Sequence, residues 1–122
     1  MRVAFLRQAW NEIPSSGDAA WLEGWMQDAK EFESAKELVN AYERLVDLGC
    51  MPGDITSVIR GALGQFLYHL SYKLDDNCIE DEELCDIVRW SLWEENENNE
   101  PVRRIGCIHE LVFTVDPEND EG

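Results

Sequence analysis

The side chains able to do chemistry are few and loosely spaced. Cysteines stand at positions 50, 78, 85 and 107 and histidines at 69 and 109. Cys78 and Cys85 have six residues between them, which is not a usual zinc spacing. These thiols read as small buried hydrophobic residues, and no metal is expected. Calcium fails on the same kind of test. A calcium loop starting at Asp75 needs an oxygen ligand where Ile79 stands and a glycine where Glu80 stands. Starting at Asp76 puts Cys78 at a ligand position and Asp81 at the glycine.

Cys107 and His109 are the one pair that suggests nucleophilic catalysis. On a strand they share a face, whereas on a helix they point about 200° apart. His109-Glu110 begins like a zinc-protease helix, but Phe113 occupies the place of the second histidine. The chain has no glycine-framed nucleophile and no phosphate-binding glycine loop. The expectation is therefore no enzyme and no cofactor, with His69 and His109 structural. An enzyme using Cys107 and His109 is the alternative.

The elements that must position these residues read as helices. Val3, Phe5, Leu6, Ala9, Trp10 and Ile13 recur at helical spacing until Pro14-Ser15-Ser16-Gly17 stops them. Asp18 caps a second helix with Trp21, Leu22, Trp25 and Met26 as its stripe. Ser34 and Glu37 form a capping box for a third, with Leu38, Val39, Tyr42, Leu45 and Val46 inward and Gly49 as its stop. After a turn at 51–53, Asp54 caps a long helix carrying apolar residues from Ile55 to Leu74. So broad an apolar face predicts a central helix packed on several sides, with Gly61 and Gly64 marking a close neighbour.

Four acids at 80–83 suit the start of a further helix, with Leu84, Ile87, Val88, Ser91 and Leu92 inward. Residues 94–101 read as a polar, acidic loop. Over 102–115 the spacing of Ile105, Ile108, Leu111 and Val112 fits a helix, while 111–115 has the composition of a short strand. The fold class is all-α: a single-domain bundle of about five to six helices. Residues 1–115 form one acidic helical domain and 116–122 a frayed acidic tail.

Charge says most about function. Ten Lys and Arg against 26 Asp and Glu give −16 at pH 7 over 122 residues. Residues 1–74 hold ten acids and seven bases, whereas residues 75–122 hold 16 acids and three bases. Direct binding to nucleic acid or to an anionic membrane needs cationic surface, so both are excluded as the main activity. No apolar stretch is long enough to span a bilayer, and the run from Val3 to Leu6 is too short for a secretory leader. The expected compartment is the cytoplasm, with reduced thiols.

A dense acidic field with aromatic residues in it suits docking to a basic protein, where carboxylates steer and an aromatic anchors. The candidate contacts are Glu80, Asp81, Glu82, Glu83 and Asp86, then Glu94, Glu95 and Glu97, with Trp93 as anchor. In size and acidity the chain resembles bacterial immunity proteins and phage-encoded inhibitors, though no motif carries that likeness. It implies a stoichiometric inhibitor of a basic toxin, nuclease or other nucleic-acid-acting partner. A DNA mimic blocking several DNA-binding proteins is the alternative of the same kind. The chain is expected to be a monomer or weak homo-oligomer, and a third possibility is a structural subunit whose Trp21/Trp25 face is an oligomer interface and not core.

Overall fold

The computed structural model describes residues 1–75 and 90–119. They form α1 (Arg2–Asn11), α2 (Ala19–Ala29), a 3-10 turn (Glu33–Ala35), α3 (Lys36–Asp47), α4 (Pro52–Asp75), β1 (Leu92–Glu95), β2 (Pro101–Ile105) and a second 3-10 turn (His109–Leu111). The expected bundle of five to six helices is overturned. The fold is mostly helical, with four α-helices and one antiparallel two-stranded sheet among the described residues. The chain also divides into two compact units, Ile13–Leu63 and a second made of Met1–Glu12 with Gly64–Gly122.

In the unit Ile13–Leu63, Asp18 caps α2 as expected, its Oδ1 accepting the Trp21 N–H at 3.1 Å. Leu22, Met26 and Ala29 bury against Val39 of α3, flanked by Trp21, Tyr42, Ile55 and Ile59. The capping box at Ser34 does not form. Phe32 is extended and Glu33–Ala35 winds as a 3-10 turn, so α3 begins only at Lys36 with no side-chain cap. Gly49 does end α3, with φ +95°, a conformation glycine adopts without steric cost. Asp54 does not cap α4. It lies in the first turn of a helix that Pro52 opens, where the missing proline N–H costs nothing.

The first turn of α4 is tied to the loop before α2. Gly17 N donates to Ser57 Oγ at 2.9 Å, and Thr56 Oγ1, fully buried, lies 2.9 Å from Asp18 O and 3.2 Å from Pro52 O. A Cβ on Gly53 would stand 2.9 Å from the Gly17 carbonyl oxygen, whereas one on Gly61 would meet nothing within 4 Å. The two glycines should therefore respond oppositely to alanine. Gly61→Ala should stabilise by about 0.5–1 kcal/mol through helix propensity. Gly53→Ala should destabilise by roughly 1–3 kcal/mol, because a backbone carbonyl must move. Urea unfolding of the two variants checks both signs.

In the second unit, Leu6 and Trp10 of α1 bury with Leu67, Ile105, Ile108 and Val112. Trp10 Nε1 donates to Val112 O at 2.9 Å. The close approach expected at Gly64 is present, since a Cβ there would lie 3.1 Å from Trp10 Cη2. The reading of α4 as packed on several sides is not. Its buried positions are Thr56, Arg60, Gly64, Leu67 and Ser71, while Val58, Phe66 and Leu70 are exposed.

Three further expectations are corrected here. Ser91 and Leu92 do not continue a helix, for β1 starts at Leu92 and pairs Trp93 with Arg104 and Glu94 with Arg103. Opposite charges across the ladder favour that pairing. The stretch 94–101 is a hairpin end and no plain loop. Asn96 Oδ1 accepts the N–H groups of Asn98 and Glu100 at 2.9 and 3.1 Å, and Asn99 takes the left-handed conformation at φ +62°. Asparagine does both at low cost. Residues 111–115 are not a strand either: Leu111 closes the 3-10 turn and its carbonyl accepts the Val115 N–H at 3.0 Å.

Candidate functional site

The predicted docking residues divide into two groups. Glu80, Asp81, Glu82, Glu83 and Asp86 lie outside the described residues, as do Cys78 and Cys85. The others sit on the hairpin. Alternation along β1 turns Trp93 and Glu95 outward and Leu92 and Glu94 inward. Trp93 is 48% exposed, and its Nε1 donates to Ser91 Oγ at 2.7 Å. Glu94 is otherwise engaged, its Oε2 lying 2.9 Å from Arg103 Nε. Glu95 and Glu97 are exposed. Of the second acidic cluster, the hairpin thus presents two carboxylates and an indole to solvent, with the third carboxylate already paired.

A second constellation is centred on Asp75, which the sequence suggested only as a break after the long helix and as the first position of a rejected calcium loop. Asp75 ends α4 and its carboxylate reaches the 3-10 turn His109–Leu111. Oδ1 accepts the Ile108 N–H at 3.1 Å, and Oδ2 accepts the His109 N–H at 2.9 Å and contacts His109 Nδ1. A carboxylate at the N-terminus of a turn satisfies donors that the turn itself cannot. Burial pushes the Asp75 carboxyl up, but the His109 backbone N–H, the His109 imidazole and the Ile108 N–H outweigh it and hold the group below its ordinary value. The end of α4 is closed from the hairpin side too. Lys73 O accepts Trp90 Nε1 at 2.7 Å and Asp75 O accepts Arg104 Nη2 at 3.1 Å, the cation suiting the negative end of the helix.

Around this pair the aromatic rings stack in sequence. Tyr72 meets the His109 ring edge-on with centroids 4.9 Å apart, and Tyr68 lies against Phe113 at 5.8 Å. An open groove of about 450 Å3 is lined by Tyr72, Asp75, Arg104, Gly106, Cys107 and His109. Cys107 is an exposed free thiol with φ +57°. The structure therefore brings Cys107 and His109 to one groove, on neither the strand nor the helix considered from sequence. With Nδ1 held by Asp75, the imidazole presents Nε2 as its remaining nitrogen, the arrangement by which a carboxylate orients a general base.

His69, by contrast, is exposed and meets Tyr68 edge-on at 5.5 Å. Among the described residues no group of three or more His, Cys, Asp or Glu could hold a metal ion, and no helix is long and apolar enough to cross a membrane. Comparison with protein-family models, with curated proteins and with solved structures gives no match to this chain.

Proposed function

We propose that this chain is a stoichiometric inhibitor that docks on a basic, nucleic-acid-acting protein and occludes its working surface. One observation carries the reading: a half-exposed indole, Trp93, turned outward on β1 beside Glu95, within residues 75–122, which hold 16 acids and three bases. Tryptophan supplies the anchor that becomes dry on contact, and carboxylates occupy the sites where the partner's Lys and Arg meet phosphates. No bond is made or broken by this chain. The field accelerates encounter, and the indole slows release.

Capture of partners from the native lysate on the tagged protein, at 0.05 and 0.3 M salt, tests this. One stoichiometric basic protein is expected, and its association rate should fall steeply as the Debye length shrinks from about 30 Å at 0.01 M salt to about 8 Å at 0.15 M. Glu95→Gln with Glu97→Gln should slow association, and Trp93→Ala should speed dissociation. A salt-independent association rate overturns the steering mechanism. Retention of many unrelated DNA-binding proteins would replace a single-target inhibitor by a DNA mimic.

A second reading, an enzyme using Cys107 and His109, is favoured by the groove that both line with Asp75 behind the imidazole. The same capture separates the two, because His109→Gln leaves docking through the hairpin unchanged but removes the base that a thiol nucleophile needs.

A further inference from the structure

α3 is strongly amphipathic, yet Val39 is its one buried side chain. The apolar stripe from sequence is covered on the Val39 side, by α2 with Ile55 and Ile59 of α4 against the same cluster. Beside it Leu38, Ala41, Leu45 and Leu48 follow one another at steps of three, four and three, the spacing of a packed helix seam. Leu38 and Leu45 are exposed, and Leu48 is 81% exposed. An apolar groove of about 400 Å3 adjoins Leu45 and is lined further by Met51, Ile55 and Val58 of the following turn and α4. Singly exposed apolar residues need no explanation, but a contiguous helical seam beside an apolar groove does.

We infer that this face is the contact between two copies of this chain, α3 lying antiparallel to α3 about a two-fold axis at Ala41. Apolar spacing alone would also allow an axis at position 43, setting Leu38 against the second copy's Leu48, and it is the charges flanking the seam that select Ala41. Ala41 meets its own counterpart, where a small side chain lets the helices approach. Leu38 packs on the second copy's Leu45 at the rim of the groove, and the reverse contact forms by symmetry. Glu37 and Arg44, seven residues apart, flank the seam on the same side. An antiparallel pair sets each Glu37 against the second copy's Arg44, giving two opposite-charge contacts. The wider charge distribution agrees. Two copies each at −16 repel, and the face lies in the part of the sequence, residues 1–74, where ten acids are nearly balanced by seven bases.

Sedimentation velocity of the full chain from 1 to 100 µM tests the inference. A concentration-dependent dimer is expected, and Leu45→Glu should leave it monomeric with its far-ultraviolet circular dichroism unchanged. Glu37→Arg and Arg44→Glu should each weaken the dimer at least tenfold, because each sets like charges across both contacts. The double exchange should return the dissociation constant to within about threefold of the starting protein. Restoration would distinguish this register from any other use of the face. A wild-type chain that stays monomeric at 100 µM overturns the inference, as does a dimer indifferent to Leu45→Glu or a double exchange no better than the single ones.

Discussion

Trp10→Ala is expected to remove most of the stability of the unit that joins α1 to the C-terminal segment. Deleting a buried tryptophan side chain costs about 3–5 kcal/mol in lost contact and cavity. The carbonyl of Val112, itself fully buried, loses its donor, which adds roughly 1–3 kcal/mol. Against a typical total of about 5–15 kcal/mol, that is a large share. Thermal unfolding followed by circular dichroism should show a midpoint lower by at least about 10 °C.

Trp10→Phe separates the two contributions, since it keeps an aromatic ring and loses only the indole donor and its outer atoms. It also predicts a change of sign elsewhere. Gly64→Ala alone places a Cβ 3.1 Å from Trp10 Cη2 and should destabilise. In the Trp10→Phe background that atom is gone, so the same change should stabilise by up to about 1 kcal/mol through helix propensity. A double-mutant cycle that shows no coupling between positions 10 and 64 would refute the packing assigned to Trp10.

The second large effect belongs to Asp75. Asp75→Ala strips the acceptor from the N–H groups of Ile108 and His109 and leaves His109 without its carboxylate. The Asp75 side chain is 8% exposed, so water replaces these bonds poorly, and a cost of roughly 2–4 kcal/mol is expected at neutral pH. The loss has a pH signature. The folded state holds the carboxyl ionised below its ordinary value, so on acidification the unfolded chain takes up its proton first. The stabilisation is complete above the unfolded value of about 3.9 and drains away as pH falls through the depressed folded value. Urea midpoints of wild type and Asp75→Ala should thus lie far apart at pH 7 and converge towards pH 3. A gap that is constant with pH would mean that Asp75 acts by shape and not by charge.

These two positions also show what the sequence could and could not reveal. Asp18 and Gly49 act on donors, carbonyls and dihedrals within about four residues, and each was legible as helix punctuation, whereas Pro52 reads as turn, with the cap misplaced at Asp54. The pattern failed where a local signal had competition. Ser34 and Glu37 have capping-box spacing, but the extended Phe32 feeds a 3-10 turn and the box has no helix start to cap. In α4 the period was plain and the covered side was not. Thr56 is buried because Asp18 and Pro52 offer it carbonyls, while Phe66 and Val58, more apolar, face outward. The hairpin was hidden because β1 carries two glutamates and its turn is made of asparagines whose role shows only in the backbone they hold. Glu95 and Glu97 are exposed as charged side chains usually are, whereas the exposure of Trp93 comes from its place on β1, which composition does not show. Asp75 was not, because its partner His109 lies 34 residues away and nothing in either neighbourhood points to the other.

The bond between Trp10 and Val112 spans 102 residues and has a consequence for synthesis. The unit to which both belong draws on Met1–Glu12 and on Gly64 onward, while Ile13–Leu63 is continuous in the chain. The continuous unit has all its own contacts as soon as Leu63 is clear of the ribosome. α1 has none of its C-terminal partners until Ile105, Ile108 and Val112 follow. At about 5–20 residues per second, Leu6 and Trp10 wait roughly 5 to 20 s after they emerge for that part of their cover. α1 is therefore made before its C-terminal partners and its burial is completed after them, and a nascent chain stalled before residue 105 would leave Leu6 and Trp10 without Ile105, Ile108 and Val112.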